Sequence, residues 1–197
     1  MASLRVQSRS VGPGDNIAYL LTCESTGEQL LIDAANEPGR LFELIGDGGL
    51  ATIITTHQHA DHWQALAEVA AKTGARVLAH PLDADALPVP TSPVHDGDLI
   101  QVGDVDLEVI HLAGHTPGSI ALLYAADPPQ IFTGDSLFPG GPGRTTNPTE
   151  FTSLMDNLEA KVFDGLPDET VVWPGHGKPT TLGMERPSIP EWRARGW

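Results

Sequence analysis

At 197 residues with 40% hydrophobic content, the chain is long enough for one domain with a substantial core and short for two, so a single domain over residues 1–197 is expected. Acidic residues outnumber basic ones 26 to 11, for a formal charge of −15. That balance argues against nucleic acid and anionic membranes as partners, because both are held by Lys and Arg neutralising phosphate. The single cysteine, Cys23, leaves no internal disulfide and no Cys-rich metal site, and within the apolar run Ile17 to Cys23 it reads as a small buried hydrophobe. Met1 to Gly14 lacks the apolar core of a signal peptide, and nowhere do ~20 apolar residues run together. A soluble cytoplasmic protein is the expectation.

Apolar, β-branched runs bounded by Gly, Pro, Asp and Asn predict strands at Leu4–Gln7, Ile17–Cys23, Gln29–Ile32 and Leu50–Thr55. From Trp63 to Thr73, Leu66, Val69, Ala70 and Thr73 fall at helical spacing with Glu68 and Lys72 opposite, which predicts a helix packed on a sheet. Strands resume at Arg76–Ala79, Leu99–Val102 and Val105–His111, the last alternating Val105, Leu107 and Val109 with Asp106 and Glu108. Two more follow at Ser119–Tyr124 and Gln130–Thr133. Asn147, Pro148 and Glu150 then supply an N-cap, a first-turn proline and a third-position acid for a helix whose apolar stripe is Phe151, Leu154, Met155, Leu158 and Val162. A last strand, Thr170–Trp173, runs into Pro174-Gly175-His176.

Five of the eight histidines and two aspartates sit just past predicted strand ends: Thr56-His57-Gln58-His59-Ala60-Asp61-His62, Gly114-His115-Thr116-Pro117-Gly118, Gly134-Asp135-Ser136 and Pro174-Gly175-His176-Gly177. Rigid sheets present functional groups on such loops. His57 and His59, two apart at a strand end, can bind one ion together. Asp61 and His62 follow on the turn into the helix and diverge toward a second. Imidazole and carboxylate ligands suit Zn²⁺, Fe²⁺ or Mn²⁺, and the absence of thiolate argues against a structural zinc knuckle. As polar turn residues, so many side chains would compete for hydrogen bonds without a compensating gain.

From Asn16 to Glu185 the chain closely resembles the metallo-β-lactamase superfamily, and within it the short glyoxalase II-like hydrolases. Leu30-Leu31-Ile32-Asp33 is similar to the first family motif, whose Asp supports the metal loop from behind the ligands. The resemblance implies an α+β fold, a four-layer αββα sandwich with the site along one edge of its two sheets. It assigns His57, His59 and His115 to a first divalent metal, Asp61, His62 and His176 to a second, and Asp135 to both. Zinc is the first choice, with iron or manganese as alternatives. Asp61 and Asp135 are the acids expected to take part in catalysis, Asp61 as a ligand rather than a separate base.

Two ions about 3.5–4 Å apart would generate a hydroxide near neutral pH and polarise a carbonyl, and the resemblance to glyoxalase II-like hydrolases implies a thioester of a small thiol as the bond that is hydrolysed. The persulfide dioxygenases of the same fold, with one iron, are the alternative; they carry Gly-Arg-Thr-Asp-Phe where this chain has Gly143-Arg144-Thr145-Thr146-Asn147. Family β-lactamases place Cys in the second site and Arg or Cys in place of His62, so β-lactams are not the expected substrates. Glyoxalase II binds glutathione with a helical C-terminal extension. Here Lys178 to Trp197 follow the last ligand, so the thiol is left open. A lactonase, a nucleic-acid phosphodiesterase and a non-catalytic binding module rank lower.

Arg144 matches by position a family residue that contacts the thiol substrate, and a guanidinium suits a carboxylate. His80, His95 and His111 lie outside the motifs and read as structural or exposed, and Asp83 and Asp85 as a solvated turn. The tail residues Trp192, Arg193, Arg195 and Trp197 read as a strap docked over the domain, with a homo-oligomer interface or a pocket wall as the functional alternative.

Overall fold

The computed structural model describes residues 3–196. Its first sheet runs β1 (Leu4–Val11), β2 (Asn16–Cys23), β3 (Gln29–Ile32), β4 (Thr52–Ile54), β5 (Arg76–Ala79) and β6 (Ser92–Pro93) in spatial order, antiparallel from β1 to β3 and parallel from β3 onward. The second joins β7 (Leu99–Val102), β8 (Val105–His111), β9 (Ile120–Tyr124), β10 (Gln130–Gly134), β13 (Val171–Pro174) and β14 (Thr180–Thr181). A two-stranded ribbon of β11 (Leu137–Phe138) and β12 (Gly141–Pro142) lies between β10 and the helix that follows.

β2 is buried along its whole length because both of its faces are covered. Period-two alternation sends Tyr19, Leu21 and Cys23 into the core between the sheets, while Ala18 and Leu20 face helices. Likewise β8 turns Leu107 and Val109 inward and Ile110 outward, and β10 turns Phe132 inward and Ile131 outward. Helices α1 (Pro38–Ile45) and α2 (Leu66–Thr73) cover the first sheet with Leu41, Leu44, Leu66 and Val69. After the one-turn α3 (Pro81–Ala84), helix α4 (Pro148–Asn157) and the π-helical turn Leu158–Phe163 cover the second sheet. The short α5 (Leu182–Glu185) and then α6 (Ile189–Arg195) complete that layer, with Trp192 buried in it. The molecule is the four-layer αββα sandwich expected.

Sequence signals and structure agree closely at α4, where Asn147 Oδ1 accepts from Glu150 N at 3.0 Å and the whole expected stripe is buried. They part at the helix expected from Trp63, which begins at Leu66 after a 3₁₀ turn, Ala60–His62, that holds two candidate ligands. Helix α1 has the first-turn proline Pro38 but no cap: its preceding residue, Glu37, is left-handed at φ 48° and offers no side-chain hydrogen bond. Trp197 lies outside the described residues.

Leu107 is fully buried between the sheets, whereas Leu82 is 60% exposed. Leu107→Ala should therefore lower unfolding free energy by about 2–5 kcal/mol in urea titrations, and Leu82→Ala by less than about 0.5 kcal/mol. Equal effects would show that the two sheets do not enclose a close-packed core.

Candidate metal centre

All four ligand-bearing segments leave the sheets along one edge. β10 is parallel to β13, so the ends leading to Asp135 and His176 point the same way, and the end of β4, in the other sheet, leads to His57 at the same cluster. His115 lies in the β8–β9 connection. Backbone bonds stitch the two sheets together there: Ile120 N donates to Thr56 O at 3.0 Å and Ile17 N to Gly175 O at 2.8 Å. The sheet ends thus fix the spacing between ligand loops.

The seven candidate ligands converge into overlapping groups: His57, His59 and His115; His57, His62 and Asp135; Asp61, His62 and His176. Asp135 lies between the sets. Its Oδ2 is 4.0 Å from His57 Nε2, 3.7 Å from His115 Nε2 and 3.4 Å from His176 Nε2, and its Oδ1 is 3.4 Å from His62 Nε2. Asp61 Oδ2 lies 3.4 Å from His176 Nε2 and 3.8 Å from His62 Nε2.

The hydrogen bonds behind the rings fix which nitrogen faces the cluster. His115 Nδ1 donates to Arg144 O at 2.7 Å and His176 Nδ1 to Gly14 O at 2.8 Å; a carbonyl can only accept, so each ring carries its proton on Nδ1. His62 Nδ1 donates to Asp33 Oδ2 at 2.8 Å. Thr56 Oγ1 donates to Asp33 and so accepts from His57 Nδ1 at 3.0 Å. Each of these four rings turns its Nε2 inward, and His57 Nε2, His115 Nε2 and Asp135 Oδ1 are buried without any hydrogen-bond partner among the described residues. Buried polar atoms are normally paired, and converging imidazole and carboxylate lone pairs are the donor set of a divalent metal. The residues present fit such ions.

The metallo-beta-lactamase superfamily profile matches residues 11–176. The chain belongs to that superfamily. A hydroxyacylglutathione hydrolase from Polaromonas is 36% identical over 163 residues, covering 82% of this chain and 62% of that protein. The chain thus spans about three fifths of the length of such relatives. Among solved structures, TTHA1623 in a di-iron-bound form is 33% identical at a TM-score of 0.80, covering 95% of this chain and all of that one. ETHE1 from Myxococcus xanthus is 30% identical at a TM-score of 0.83, covering 94% and 83%.

In this superfamily member, Asp33 lies behind the ligand loop. It is 1% exposed and accepts from Thr56 N, Thr56 Oγ1 and His62 Nδ1, each at 2.8 Å. Its left-handed backbone, φ 58°, is a strained conformation held by this network. Asp83 corrects the expectation of a solvated turn: it is 2% exposed. It accepts from Gln58 N at 2.9 Å, Gly118 N at 2.7 Å and Thr116 Oγ1, so one carboxylate clamps the His57–His59 loop to the His115 loop. Asn16, which the sequence did not single out, donates to Asp61 Oδ2 at 2.9 Å. A glycine is required at position 175, where a Cβ would run into Asp135 Oδ1 and lie 2.7 Å from His62 Cε1.

Charge coupling within the cluster is strong. Burial favours a neutral His62, but the hydrogen bonds and charges of Asp135 and Asp33 outweigh it and push the ring up to about 10. Contact with Asp135 also raises His176, while burial and the neighbouring His62 hold His57 well below its ordinary range. Burial would raise Asp135, yet His176, His62 and His57 keep it far below the usual carboxylate range.

Because His62 is raised, its proton is present at neutral pH in the metal-free protein and must leave when a metal binds. Adding Zn²⁺ to weakly buffered protein should acidify the solution, and affinity should fall as pH falls. Zinc binding with no proton release and no pH dependence from 6 to 8 would show that Nε2 of His62 is not a ligand. Asp83→Asn should weaken metal affinity by about 10–100-fold in chelator competition, while Asp85→Asn, at an exposed position, leaves it unchanged. Wild-type affinity in Asp83→Asn would remove the clamp from the account of the site.

Proposed function

We propose that the chain is a dinuclear metal-dependent hydrolase that cleaves a thioester of a small thiol, with two divalent ions, zinc first, held by His57, His59 and His115 and by Asp61, His62 and His176, and with Asp135 shared. The observation that carries this reading is Asp135 itself, whose two oxygens lie 3.4–4.0 Å from imidazole nitrogens of both sets. The similarity to hydroxyacylglutathione hydrolases supports the thioester, and the likeness to a protein solved in a di-iron-bound form supports a pair of ions.

When bound, the two ions would supply Lewis acidity for a carbonyl and a water acidic enough to ionise near neutral pH. The chain's own groups set the direction of approach. His57 and His62 form the buried floor, whereas His59 is exposed and Asp61, His115 and His176 are partly so. Substrate must therefore enter over His59 and Asp61. Half-buried Phe138, its ring 6.3 Å from that of His176, gives this mouth an apolar wall. The tautomers fixed by Asp33, Thr56, Arg144 and Gly14 keep the Nε2 atoms in place, so the ligands need no reorganisation during turnover. In the overall reaction the water oxygen attacks the acyl carbon, the C–S bond breaks, and the thiol leaves with the second product, a carboxylic acid.

Elemental analysis of reconstituted protein should give about two ions per chain. Asp135→Ala should lose both, and His176→Ala mainly one; saturation of the wild type at a single ion would sink the dinuclear centre. Thioester cleavage should proceed at full rate without oxygen. Oxygen uptake with a persulfide, together with no thioester turnover, would move the chain to the dioxygenase reading.

A further inference from the structure

The two ligand sets are mounted differently. Asp33 and Asp83 brace the Thr56–His62 loop and the His115 loop from inside the sandwich. Neither touches Asp61, which sits on the 3₁₀ turn Ala60–His62 with its side chain 48% exposed. In the second set, Asp33 stands behind His62 and Gly14 O behind His176. Behind Asp61 stands Asn16, the one side chain outside the ligand set that donates to its carboxylate among the described residues.

Asn16 is built to hold that position. It is the first residue of β2, paired with Val11 across the hairpin, and it is 2% exposed. Period-two alternation puts it on the face of Ala18 and Leu20, which α2 covers and the Ala60–His62 turn adjoins. The hairpin is fixed at both sides of its turn. Gly12 N donates to Glu37 Oε2 at 2.7 Å, and Asn16 forms a backbone bridge with His176, beside the bond from Ile17 N to Gly175 O. A Cβ at position 14 would lie 2.9 Å from Asn16 Oδ1, so Gly14 leaves the amide its room.

From this mount Asn16 Nδ2 lies 2.9 Å from Asp61 Oδ2 and 3.4 Å from His176 Nε2, so one amide spans two ligands of the second set. An ionised carboxylate only accepts, so the amide must turn its NH₂ toward Asp61. A solvent-facing aspartate left to itself samples several rotamers, and that freedom is lost when it takes an ion. Freezing it beforehand removes the loss from the binding step.

We propose that Asn16 is the positioning residue of the second metal set: its amide fixes the Asp61 carboxylate and so sets how tightly that set holds its ion, without acting on the ion held by His57, His59 and His115. The proposal rests on the dinuclear reading. Because Asp61 is open to water, water replaces a lost amide donor, so the fold keeps its stability while the carboxylate loses its fixed position.

The test is zinc titration of the full chain in competition with a chromophoric chelator, read as two affinities, the second set's ion being the one that His176→Ala loses. Asn16→Ala should weaken that ion about 10–100-fold, as loss of a partner behind a metal ligand does. The other ion and the melting midpoint of the metal-free protein should not change. Asn16→Leu, which fills the space without a donor, should behave alike and separates the lost hydrogen bond from a cavity. Asp61→Ala should weaken the same ion, and adding Asn16→Ala to it should weaken it no further, since the amide acts through that carboxylate. Unchanged affinity in both Asn16 variants would overturn the proposal, as would additive losses in the double variant. Equal weakening of both ions with a lowered melting midpoint would make Asn16 a residue of the fold and overturn it too. A wild type that saturates at one ion would overturn the dinuclear function and this proposal with it, an outcome read before any substitution is made.

Discussion

Every inward-facing lone pair at the centre depends on where the opposite side of its imidazole is tied. An unconstrained histidine can present either ring nitrogen, and the two presentations aim the lone pair in different directions. Here Asp33, Thr56, Gly14 O and Arg144 O commit the Nδ1 atoms of His62, His57, His176 and His115. Two of these partners are backbone carbonyls, whose position is set by the loops leaving β12 and β1. Ring orientation is in this way an extension of sheet geometry. A change that moved either loop would rotate a ligand without touching the ligand residue itself.

The same constraint explains why two buried aspartates stand behind the cluster rather than in it. Asp33 gathers Thr56 and His62, and Asp83 gathers Gln58, Thr116 and Gly118. Between them they brace the Thr56–His62 loop from two sides and join it to the loop from the opposite sheet. A carboxylate taken out of water is costly unless several donors meet it. Each meets three, so their burial is compensated, and the donors they collect are held in turn.

Much of this was legible in the sequence, and the limits were physical. The strands were readable because alternate residues face different cores, and the four ligand motifs were readable because ligands cluster within a few residues of strand ends. Asp33 could be placed because Leu30-Leu31-Ile32-Asp33 is similar to a motif of the superfamily. Asp83 could not: His80-Pro81-Leu82-Asp83 looks like an ordinary turn, and what buries its carboxylate are backbone N–H groups 25 and 35 residues away. Backbone donors leave no trace in residue identity. Asn16 was missed for a related reason, since its partner Asp61 is 45 residues on. The tail was visible as charges beside tryptophans, but only the packing of Trp192 against Phe163 and the pairing of Arg193 with Asp156 and Glu159 decide which surface it straps.

The cluster also sets a tension between folding and function. His57 Nε2, His115 Nε2 and Asp135 Oδ1 are buried and unpaired, and each such atom costs on the order of 1–3 kcal/mol. Around them the charges are strongly coupled, with His62 and His176 pulled toward protonation and His57 and His115 pushed from it. The framework tolerates this because the sheet ends are rigid and the two aspartates behind them are fully bonded. Ions that satisfied those atoms would therefore bind the folded state alone, and their binding free energy would add to its stability. The arrangement that readies the lone pairs for metal is the one that leaves the metal-free fold least satisfied, so metal occupancy and stability are coupled by construction.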